Sequence, residues 1–396
     1  MKKSVAIIGG GPSALALAAF LDPTIFDVSI YEKNKSLGRK FLVAGKGGFN
    51  LTHSEPIEQL ISRYSNDEPV KAAVKAFTNH NFRNWLASID IPTFIGSSKR
   101  VYPEKGIKPI EVLNRILSLL QSKNVHFHFE SNWTGWDSQN ALTFTSGNSV
   151  KADIVVFALG GGSWKVTGSD GSWLETFRRK GIETRDFLPT NCAYSVDWNA
   201  DLLAKIEGAP LKNITISTNG KTCNGEAVVT QFGIEGNAIY ALSAEIQNQL
   251  LTEGKATVYV DFKPMFSDEQ VLQKMEQSNL KITDLLRKKL NLSKTHIHLL
   301  KHYLDKEAFL SKTTLAAAIK QFPLTLEAAA PIDEAISTTG GISMDAIHAN
   351  FELKHLPNTY CLGEMLDWNA PTGGYLLQAC FSMGVFLAKE LNQLDS

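Results

Sequence analysis

A glycine-rich turn close to the start of the chain most constrains what this sequence can fold into. The apolar run Ser4–Ile8 is typical of a buried strand, and it leads directly into Gly9-x-Gly11-x-x-Ala14, which opens a small-residue helical stretch. The first glycine permits a tight turn, the second lets a pyrophosphate approach the backbone, and the small third residue lets the helix pack on the strand. The N-terminus of that helix would face the phosphates.

The residues after this turn complete a βαβ unit. Phe26–Tyr31 has the pattern of a second strand and ends at Glu32. In a dinucleotide-binding fold, an acidic side chain at this place holds a ribose hydroxyl of adenosine. A glycine turn without a ligand is the alternative, but its position between a strand and a helix favours dinucleotide binding.

Composition and charge exclude several other classes of protein. The 396 residues are enough for two or three domains, and 40 basic residues balance 40 acidic ones at a pI near 7.1. No overall field therefore directs the chain to nucleic acid. The four cysteines contain no C-x-x-C pair, which excludes a dithiol relay and fits a reducing cytosol. No stretch reaches the roughly 18 apolar residues of a membrane span, so we expect a soluble, cytoplasmic protein.

Three later glycine sites favour FAD over NAD as the dinucleotide. Ala158-Leu159-Gly160-Gly161-Gly162 follows a buried strand, Gly363-Glu364 ends another, and Gly373-Gly374 opens the last helix. A glycine-acid pair is well placed to hold ribityl or pyrophosphate oxygens of a longer cofactor. The positive N-terminus of the last helix would face the anionic side of a reduced flavin.

The hydrophobic pattern changes twice along the chain. Residues 191–262 alternate in the manner of strands, residues 263–332 have helical periodicity, and the remainder returns to strand, glycine turn and helix. We therefore predict an α/β fold: a discontinuous FAD-binding, Rossmann-like domain over 1–190 and 333–396, an inserted β-rich module over 191–262, and an inserted helical cap over 263–332.

Several short blocks spread along the chain resemble one family, the aminoacetone-oxidase-like, YhiN-type FAD-binding flavoproteins. The blocks are Gly38–Leu42, Ala44–Glu55, Thr93–Ser98 with Arg100–Pro103, Leu159–Trp164 with Thr167–Gly171, Gly233–Gly236 with Ile239-Tyr240, Gly363–Asp367 and Thr372–Tyr375. The resemblance implies FAD, a domain of the glutathione-reductase type, and an insertion made of a β-module and a helical cap. It leaves the reaction open, although the family name suggests oxidation of an amine.

This chain departs from the family pattern at one place. Many relatives carry an Arg-Cys pair where this chain has Gly48-Phe49, so a mechanism with a cysteine beside the flavin is in doubt. The stretch Lys46–His53, with the sequence Lys-Gly-Gly-Phe-Asn-Leu-Thr-His, defines a subgroup.

The predicted cofactor-binding residues divide between the two ends of the FAD. Gly9, Gly11, Ala14 and Glu32 are assigned to the ADP half, with Arg39 and Lys40 near it, and Gly363, Glu364 and Asp367 to the ribityl and ring region. The full predicted set is Gly9, Gly10, Gly11, Pro12, Ser13, Ala14, Glu32, Lys33, Arg39, Lys40, Asn50, Thr52, Ala158, Gly160, Gly161, Gly363, Glu364, Asp367, Gly373, Gly374 and Tyr375.

Candidate catalytic residues lie in the loop after the second strand. His53 and Asn50 are polar groups expected near the isoalloxazine, and histidine titrates in a range that suits a proton donor. A surface histidine in a polar loop is the alternative. Arg100 and Tyr240 are candidate substrate-binding residues.

Basic residues group at two places. Lys99, Lys105 and Lys108 accompany Arg100, either to hold an anionic substrate or as a solvated loop. The stretch Arg287–Lys306 is a solvated helix face or a contact for RNA. Its histidines, at 296, 298 and 302, are poorly spaced for one helical face, so we predict no metal site.

The sequence leaves three functions open. The first is an FAD-dependent oxidoreductase that transfers hydride between the flavin and a small organic substrate, such as an amine, in a cleft between the FAD domain and the insert. The second is an NAD(P)H-dependent flavin reductase acting on a uridine of ribosomal RNA. The third is a flavin-binding module without enzymatic activity. No separate nicotinamide-binding domain is visible, so NAD(P)H would bind transiently, and oligomeric state is not predicted.

Overall fold

The chain forms two compact units, the first discontinuous in sequence. The computed structural model describes residues 1–43, 48–65 and 67–394. Unit 1 comprises Met1–Leu188 and Ile336–Ser396, and unit 2 comprises Pro189–Ala335.

Unit 1 is built on a five-stranded parallel sheet. Its strands are β1 (Lys3–Ile8), β2 (Phe26–Tyr31), β6 (His126–His128), β10 (Ile154–Phe157) and β19 (Thr359–Cys361), in the order β19-β10-β1-β2-β6. Every neighbouring pair is parallel. The apolar residues of the central strand β1 are buried, as expected for a parallel sheet covered on both faces. The last strand in sequence, β19, pairs with β10 and so brings the C-terminal segment back to the first half of the chain.

Helix α1 (Pro12–Phe20) follows β1 and packs against the last helix, α16 (Tyr375–Leu394). Residues 13–19 of α1 are all buried, so the helix lies inside the unit. The approach of α16 is close because Gly384 has no side chain. A Cβ there would lie 2.5 Å from the Ser13 carbonyl oxygen and 2.8 Å from the Leu17 nitrogen.

The remaining elements of unit 1 surround this sheet. The helices are α2 (Arg39–Val43), α3 (Ile57–Ile61), α4 (Glu68–Ala76), α5 (Asn79–Ser88), α6 (Pro109–Ser122) and α7 (Leu174–Arg179). The strands are β3 (Thr52–His53), β4 (Thr93–Ile95) and β5 (Arg100–Pro103) in one sheet, β7 (Trp133–Trp136), β8 (Leu142–Phe144) and β9 (Ser149–Val150) in another, and the pair β11 (Thr184–Thr190) and β18 (Ser337–Ile342).

Unit 2 contains a six-stranded antiparallel sheet and its own apolar core. The strands, in sheet order, are β12 (Tyr194–Ser195), β15 (Gly233–Glu235), β14 (Lys221–Val229), β13 (Pro210–Thr218), β16 (Ala256–Asp261) and β17 (Phe322–Leu326). The helices are α8 (Ala200–Ile206), α9 (Asn237–Tyr240), α10 (Ser243–Glu253), α11 (Asp268–Glu276), α12 (Ile282–Lys288), α13 (Lys294–Tyr303), α14 (Lys306–Leu310) and α15 (Lys312–Lys320).

The predicted fold class is confirmed: the molecule is α/β, with a parallel Rossmann-type sheet and an antiparallel β-rich module. One element differs from the expected helical pattern of 263–332. Strand β17 lies in that range and pairs with β16. The six-stranded sheet and the helices of residues 263–332 therefore share one core. Short strands with alternating burial, such as Phe322–Leu326, carry too weak a periodic signal to stand out next to helices. None of the helices in the described part of the chain is long and apolar enough to cross a membrane.

Candidate functional site

The predicted phosphate turn lies at the C-terminal end of β1. Gly9 has φ +102°, and a Cβ there would collide with the Ala158 carbonyl oxygen at the end of β10. Gly11 is the N-cap of α1, with Pro12 in the first turn. Ser13 and Ala14 follow, buried in that turn. The turn therefore presents the N-terminus of a buried helix at the carboxyl edge of a parallel sheet, where ligands of open α/β folds bind.

Glu32 is fixed beside this turn by three hydrogen bonds. Its Oε2 accepts the Gly10 N–H at 2.9 Å, and its Oε1 accepts the backbone N–H and side-chain amide of Asn34 at 2.8 and 2.7 Å. Only 8% of the residue is exposed. The structure thus brings the predicted acidic residue and the predicted glycine turn into direct contact.

The C-terminal part of the predicted set meets the N-terminal part at two contacts. Lys40 Nζ lies 2.8 Å from Glu364 Oε2 and 3.0 Å from Ser163 Oγ. A Cβ on Gly363 would lie 2.5 Å from Ser13 Oγ, in the first turn of α1. The segments around Lys40 and Glu364, 324 residues apart, therefore border one site. Lys40, assigned by sequence to the neighbourhood of the ADP half, contacts a residue assigned to the ribityl region.

Three other predicted residues make contacts within unit 1. Lys33 pairs with Asp170 at 2.8 Å, and Arg39 donates to Asn34 Oδ1 and to the Val166 carbonyl oxygen, each at 2.7 Å. Asp367 accepts the Gly340 N–H at 2.8 Å and pairs with Arg185 at 2.9 Å.

The glycines after β10 are also held by the protein. The Gly160 carbonyl accepts Trp173 Nε1–H at 3.1 Å, and the Gly161 carbonyl accepts the Ser169 hydroxyl at 2.9 Å. A Cβ on Gly161 would collide with the Thr338 hydroxyl, so this backbone closely approaches β18.

Two observations test whether these residues fit a dinucleotide cofactor. Gly11 has φ −83°, and a Cβ there would meet no atom of the described residues closer than 4.0 Å, so neither backbone strain nor packing among them requires glycine. Open space over a helix N-terminus is what a pyrophosphate needs. Asn50 Nδ2 is buried without a hydrogen-bond partner among the described residues. A buried amide of this kind is expected to meet a partner, and a ligand would provide one. The residues present therefore fit the cofactor.

A second group of predicted residues gathers at the start of α16. A Cβ on Gly374 would lie 2.6 Å from the Thr52 Cα, so the turn before α16 lies directly on β3. The fully buried Thr52 hydroxyl donates to Gln378 Oε1 at 2.6 Å. The side chain of Thr52 thus ties β3 to α16, and its backbone lines the turn.

His53 stacks on the ring of Tyr375, with ring centroids 5.2 Å apart and an interplanar angle of 21°. Burial lowers the pKa of His53; the Glu55 carboxylate and the Ser98 backbone raise it by less. The Glu55 backbone N–H donates to His53 Nδ1 at 3.3 Å, so the neutral ring carries its proton on Nε2. Burial and the hydrogen bond to Glu55 raise the pKa of Tyr375, which stays a phenol at neutral pH.

Arg100 lies next to His53 in the sheet, because β3 and β5 pair at His53 and Arg100. A Cβ on Gly373 would lie 3.4 Å from Arg100 Nε, so the guanidinium borders the turn before α16. The accompanying Lys99, Lys105 and Lys108 are exposed.

Tyr240, the other predicted substrate residue, lies in α9 of unit 2. Burial and the nearby Glu235 carboxylate raise its pKa to about 12. Lys46 and Gly47, in the loop that defines the predicted subgroup, lie outside the described residues. Phe49, at the position where many relatives have cysteine, is buried with its ring edge-on to Phe41 at 4.9 Å.

Three further residues belong to the second group without a role predicted from the sequence: Glu55, Arg63 and Tyr64. Glu55 accepts hydrogen bonds from Arg63 and Tyr375, and Tyr64 donates to the Tyr375 carbonyl oxygen at 2.9 Å. An acid two residues after a candidate catalytic histidine was the available signal. Tyr375 itself was predicted, but its contacts with Glu55 and Tyr64, more than 300 residues away, have no signal in the sequence.

The parallel sheet, the turn before α1 and the second group of polar residues define a dinucleotide-binding oxidoreductase fold. A model of the HI0933-like protein Rossmann domain family matches residues 3–390, and the chain belongs to this family.

Two curated relatives align over nearly the full length of this chain. It is 25% identical to a 3-dehydro-bile acid delta(4,6)-reductase of Clostridium scindens, over 96% of this chain and 97% of the relative. It is 23% identical to a ribosomal RNA dihydrouridine synthase of Haemophilus influenzae, over 98% of each.

Among solved structures, an open conformation of a flavocytochrome c3 fumarate reductase shares the fold, with a TM-score of 0.53. The two are 10% identical over 99% of this chain and 78% of that structure. With the cofactor cradle and the family, the chain is an FAD-dependent oxidoreductase.

Proposed function

We propose that the protein reduces a carbon–carbon double bond conjugated to a carbonyl group in a small organic substrate, with NAD(P)H as a transient electron donor. The two relatives support this reaction by their names. A 3-dehydro-bile acid with a double bond at position 4 and a uridine both contain a carbon–carbon double bond conjugated to a carbonyl. Reduction of either adds one hydride to one carbon and one proton to the other.

The observation that carries the proposal is the grouping of His53, Tyr375 and Arg100 beside the Gly373–Gly374 turn. When bound, FAD would supply the hydride carrier between NAD(P)H and the substrate. Arg100 would hold the substrate carbonyl, since a fixed cation stabilises charge that develops on oxygen. His53 would supply the proton in its imidazolium form, which the Glu55 carboxylate 3.8 Å from Nδ1 stabilises, and would regain a proton from solvent. Asn50, whose amide has no partner among the described residues, would bind the cofactor or the substrate.

Other residues of unit 1 would hold the cofactor without taking part in the chemistry. Gly9 to Ala14 and Glu32 would bind the ADP half of the cofactor, and Lys40 with Glu364 would border the middle part of the cofactor. The loop Lys46–His53, with Phe49 in place of cysteine, would mark a subgroup whose chemistry needs no thiol beside the cofactor.

The test begins with the purified protein under anaerobic conditions. Addition of NADPH or NADH should bleach the blue absorption band of bound FAD, and an α,β-unsaturated ketone should then restore it. His53→Gln should slow the second step at least tenfold and leave the bleaching unchanged. Bleaching by an amine, with hydrogen peroxide formed in air, would instead identify an amine oxidase. A flavin that no donor reduces would identify a flavin-binding module.

Ribosomal RNA is the second candidate substrate, favoured by the exposed surface of α12, α13 and α14. Six cations in these helices, or directly after α12, are exposed: Arg287, Lys288, Lys289, Lys294, Lys301 and Lys306. Asp305, a nearby acid, is engaged as the N-cap of α14 and accepts the Ala308 N–H at 2.8 Å. Six cations can bind several phosphates although the whole chain has no net charge.

If RNA binds to this surface, its affinity should fall steeply as the salt concentration rises. The double variant K288E/K289E should weaken binding to a ribosomal RNA fragment and lower the slope of log affinity against log salt concentration by about one or more. The control K205E/K212E reverses two exposed lysines elsewhere in unit 2 and should leave that slope in place. Equal effects of the two variants, or binding that ignores salt, would exclude RNA docking at this surface.

A further inference from the structure

Glu55 lies at the centre of a cluster that joins three segments of unit 1. The Glu55 cluster consists of His53 on β3, Glu55 just after β3, Arg63 and Tyr64 just after α3, and Tyr375 at the first position of α16. The cluster lies beside Gly373–Gly374, at the turn assigned to the cofactor.

The Glu55 carboxylate is buried and receives three hydrogen bonds. Its Oε1 accepts Arg63 Nε–H at 3.2 Å and the Tyr375 hydroxyl at 2.7 Å, and its Oε2 accepts Arg63 Nη2–H at 3.1 Å. Only 5% of the residue is exposed. Burial acts to raise the pKa of Glu55, but the hydrogen bonds from Arg63 and Tyr375 outweigh it, so the pKa is lowered and the carboxylate is ionised at neutral pH.

Glu55 contacts both aromatic partners, Tyr375 through its ionised carboxylate and His53 through its backbone N–H. The Tyr375 hydroxyl donates to it and is therefore occupied, while the Tyr375 carbonyl is held by Tyr64. Tyr375 in turn forms the surface on which the His53 ring stacks. The backbone N–H of Glu55 occupies His53 Nδ1 and leaves the proton on Nε2.

We propose that Glu55 is a positioning residue: its carboxylate, 3.8 Å from His53 Nδ1, provides the charged partner of the His53 ring and holds the first residue of α16 in place. It acts through His53 and Tyr375 and does not itself touch the substrate. The inference rests on the proposed function, because His53 is the proton donor there. It also defines Tyr375 as a support and not as a second proton donor, since its hydroxyl proton is directed at Glu55.

The charged and titratable groups that face His53 are Glu55, Arg63, Arg100 and Tyr375. Glu55→Gln keeps the size of the side chain and removes its charge. Because the Glu55 carboxylate stabilises the imidazolium form, E55Q should lower the pKa of His53 in an NMR titration by about one unit. Glu58→Gln is the matched control, since it removes one exposed carboxylate from α3, three residues further on, and should leave the His53 titration unchanged.

A second variant tests whether the hydrogen bond from Tyr375 to Glu55 stabilises the first turn of α16. Tyr375→Phe removes the hydroxyl and leaves the carboxylate, so the His53 pKa should stay near the wild-type value. The Gln378 N–H, which donates to the Gly374 carbonyl at 3.0 Å in the first turn, should exchange with solvent at least tenfold faster. This variant carries the test if E55Q does not fold.

Both readouts use the protein without substrate, so they stand apart from the reaction. A lowered His53 pKa in E55Q but not in E58Q, together with faster exchange in Y375F, supports the positioning role even if the wild-type protein reduces no enone. Equal His53 titrations in E55Q and E58Q, or unchanged Gln378 exchange in Y375F, would overturn it whatever the activity.

Discussion

At the scale of single residues, two glycines of one turn are required for different reasons. Gly9 has a positive φ, and its Cα hydrogen faces the end of β10, so the folded protein itself has no room for a side chain there. Gly11 has an ordinary φ and open space above it. Its requirement for glycine comes from the ligand, because a side chain would occupy the space that a pyrophosphate needs.

Replacement of each glycine by valine should therefore separate folding from cofactor binding. G11V should fold with the stability of the wild-type apoprotein but lose FAD affinity at least tenfold, about 1.4 kcal/mol. G9V should be destabilised before any cofactor is added. Urea unfolding of the apoproteins and FAD titration by fluorescence measure the two effects. An apo-G11V that is as unstable as G9V would show that the space over Gly11 is not reserved for a ligand.

At the scale of elements, the approach of α16 to α1 decides how the two ends of the chain meet. Helix α1 contributes small buried residues, and α16 contributes Gly384 at the contact. Glycine normally costs a helix interior roughly 1 kcal/mol relative to alanine. Glycine is nevertheless required at position 384, because a methyl group would collide with the backbone of α1.

Gly384→Ala should therefore destabilise the protein, by about 1–3 kcal/mol, although alanine is the better helix former. FAD binding should weaken in parallel, since α1 and α16 both border the cradle. Urea unfolding of the apoprotein and FAD titration are the measurements. A gain in stability would contradict the close helix contact.

The local elements could be predicted well from the sequence, and the contacts between distant segments poorly. The strand, glycine turn and helix at Ser4–Leu21 follow from local chemistry, and so does Glu32 at the end of β2. The pairing of Lys40 with Glu364 and of Glu55 with Tyr375 depends on how distant segments meet, which no short pattern encodes. The predicted cofactor roles of individual residues stay predictions.

At the scale of the whole molecule, the two units should respond to different solution variables. All predicted cofactor-binding residues lie in unit 1, so FAD would stabilise that unit. Unit 2 contains His296, 5% exposed, whose Nδ1 lies 2.8 Å from the Ser293 hydroxyl and whose ring packs on Phe262 at 4.8 Å. Burial, with a smaller contribution from Lys263, lowers the pKa of His296 to about 4.

Acid should therefore weaken unit 2 through His296. Because its pKa in the folded state is lower than in the unfolded state, the unfolded state takes up the proton first as pH falls below about 6.5. Stability is then lost progressively down to pH 4, by roughly 3 kcal/mol in full. Hydrogen exchange of β16 and β17 at pH 7 and pH 4.5 measures the change. In H296F, the difference in exchange between the two pH values should be smaller. The control F322L should lower stability at both pH values. If the wild-type protein and both variants show the same pH dependence, His296 is not the cause.

The discontinuity of unit 1 has a consequence for how the protein is made. As the chain leaves the ribosome, β1, the glycine turn and Glu32 emerge before unit 2, and the whole of unit 2 emerges before β19 and α16. A nascent chain can complete the six-stranded sheet of unit 2 before its cofactor cradle has gained Gly363, Glu364 and helix α16. Tight retention of FAD would thus report that translation has passed α16, and a product terminated before that helix would leave the ribosome colourless.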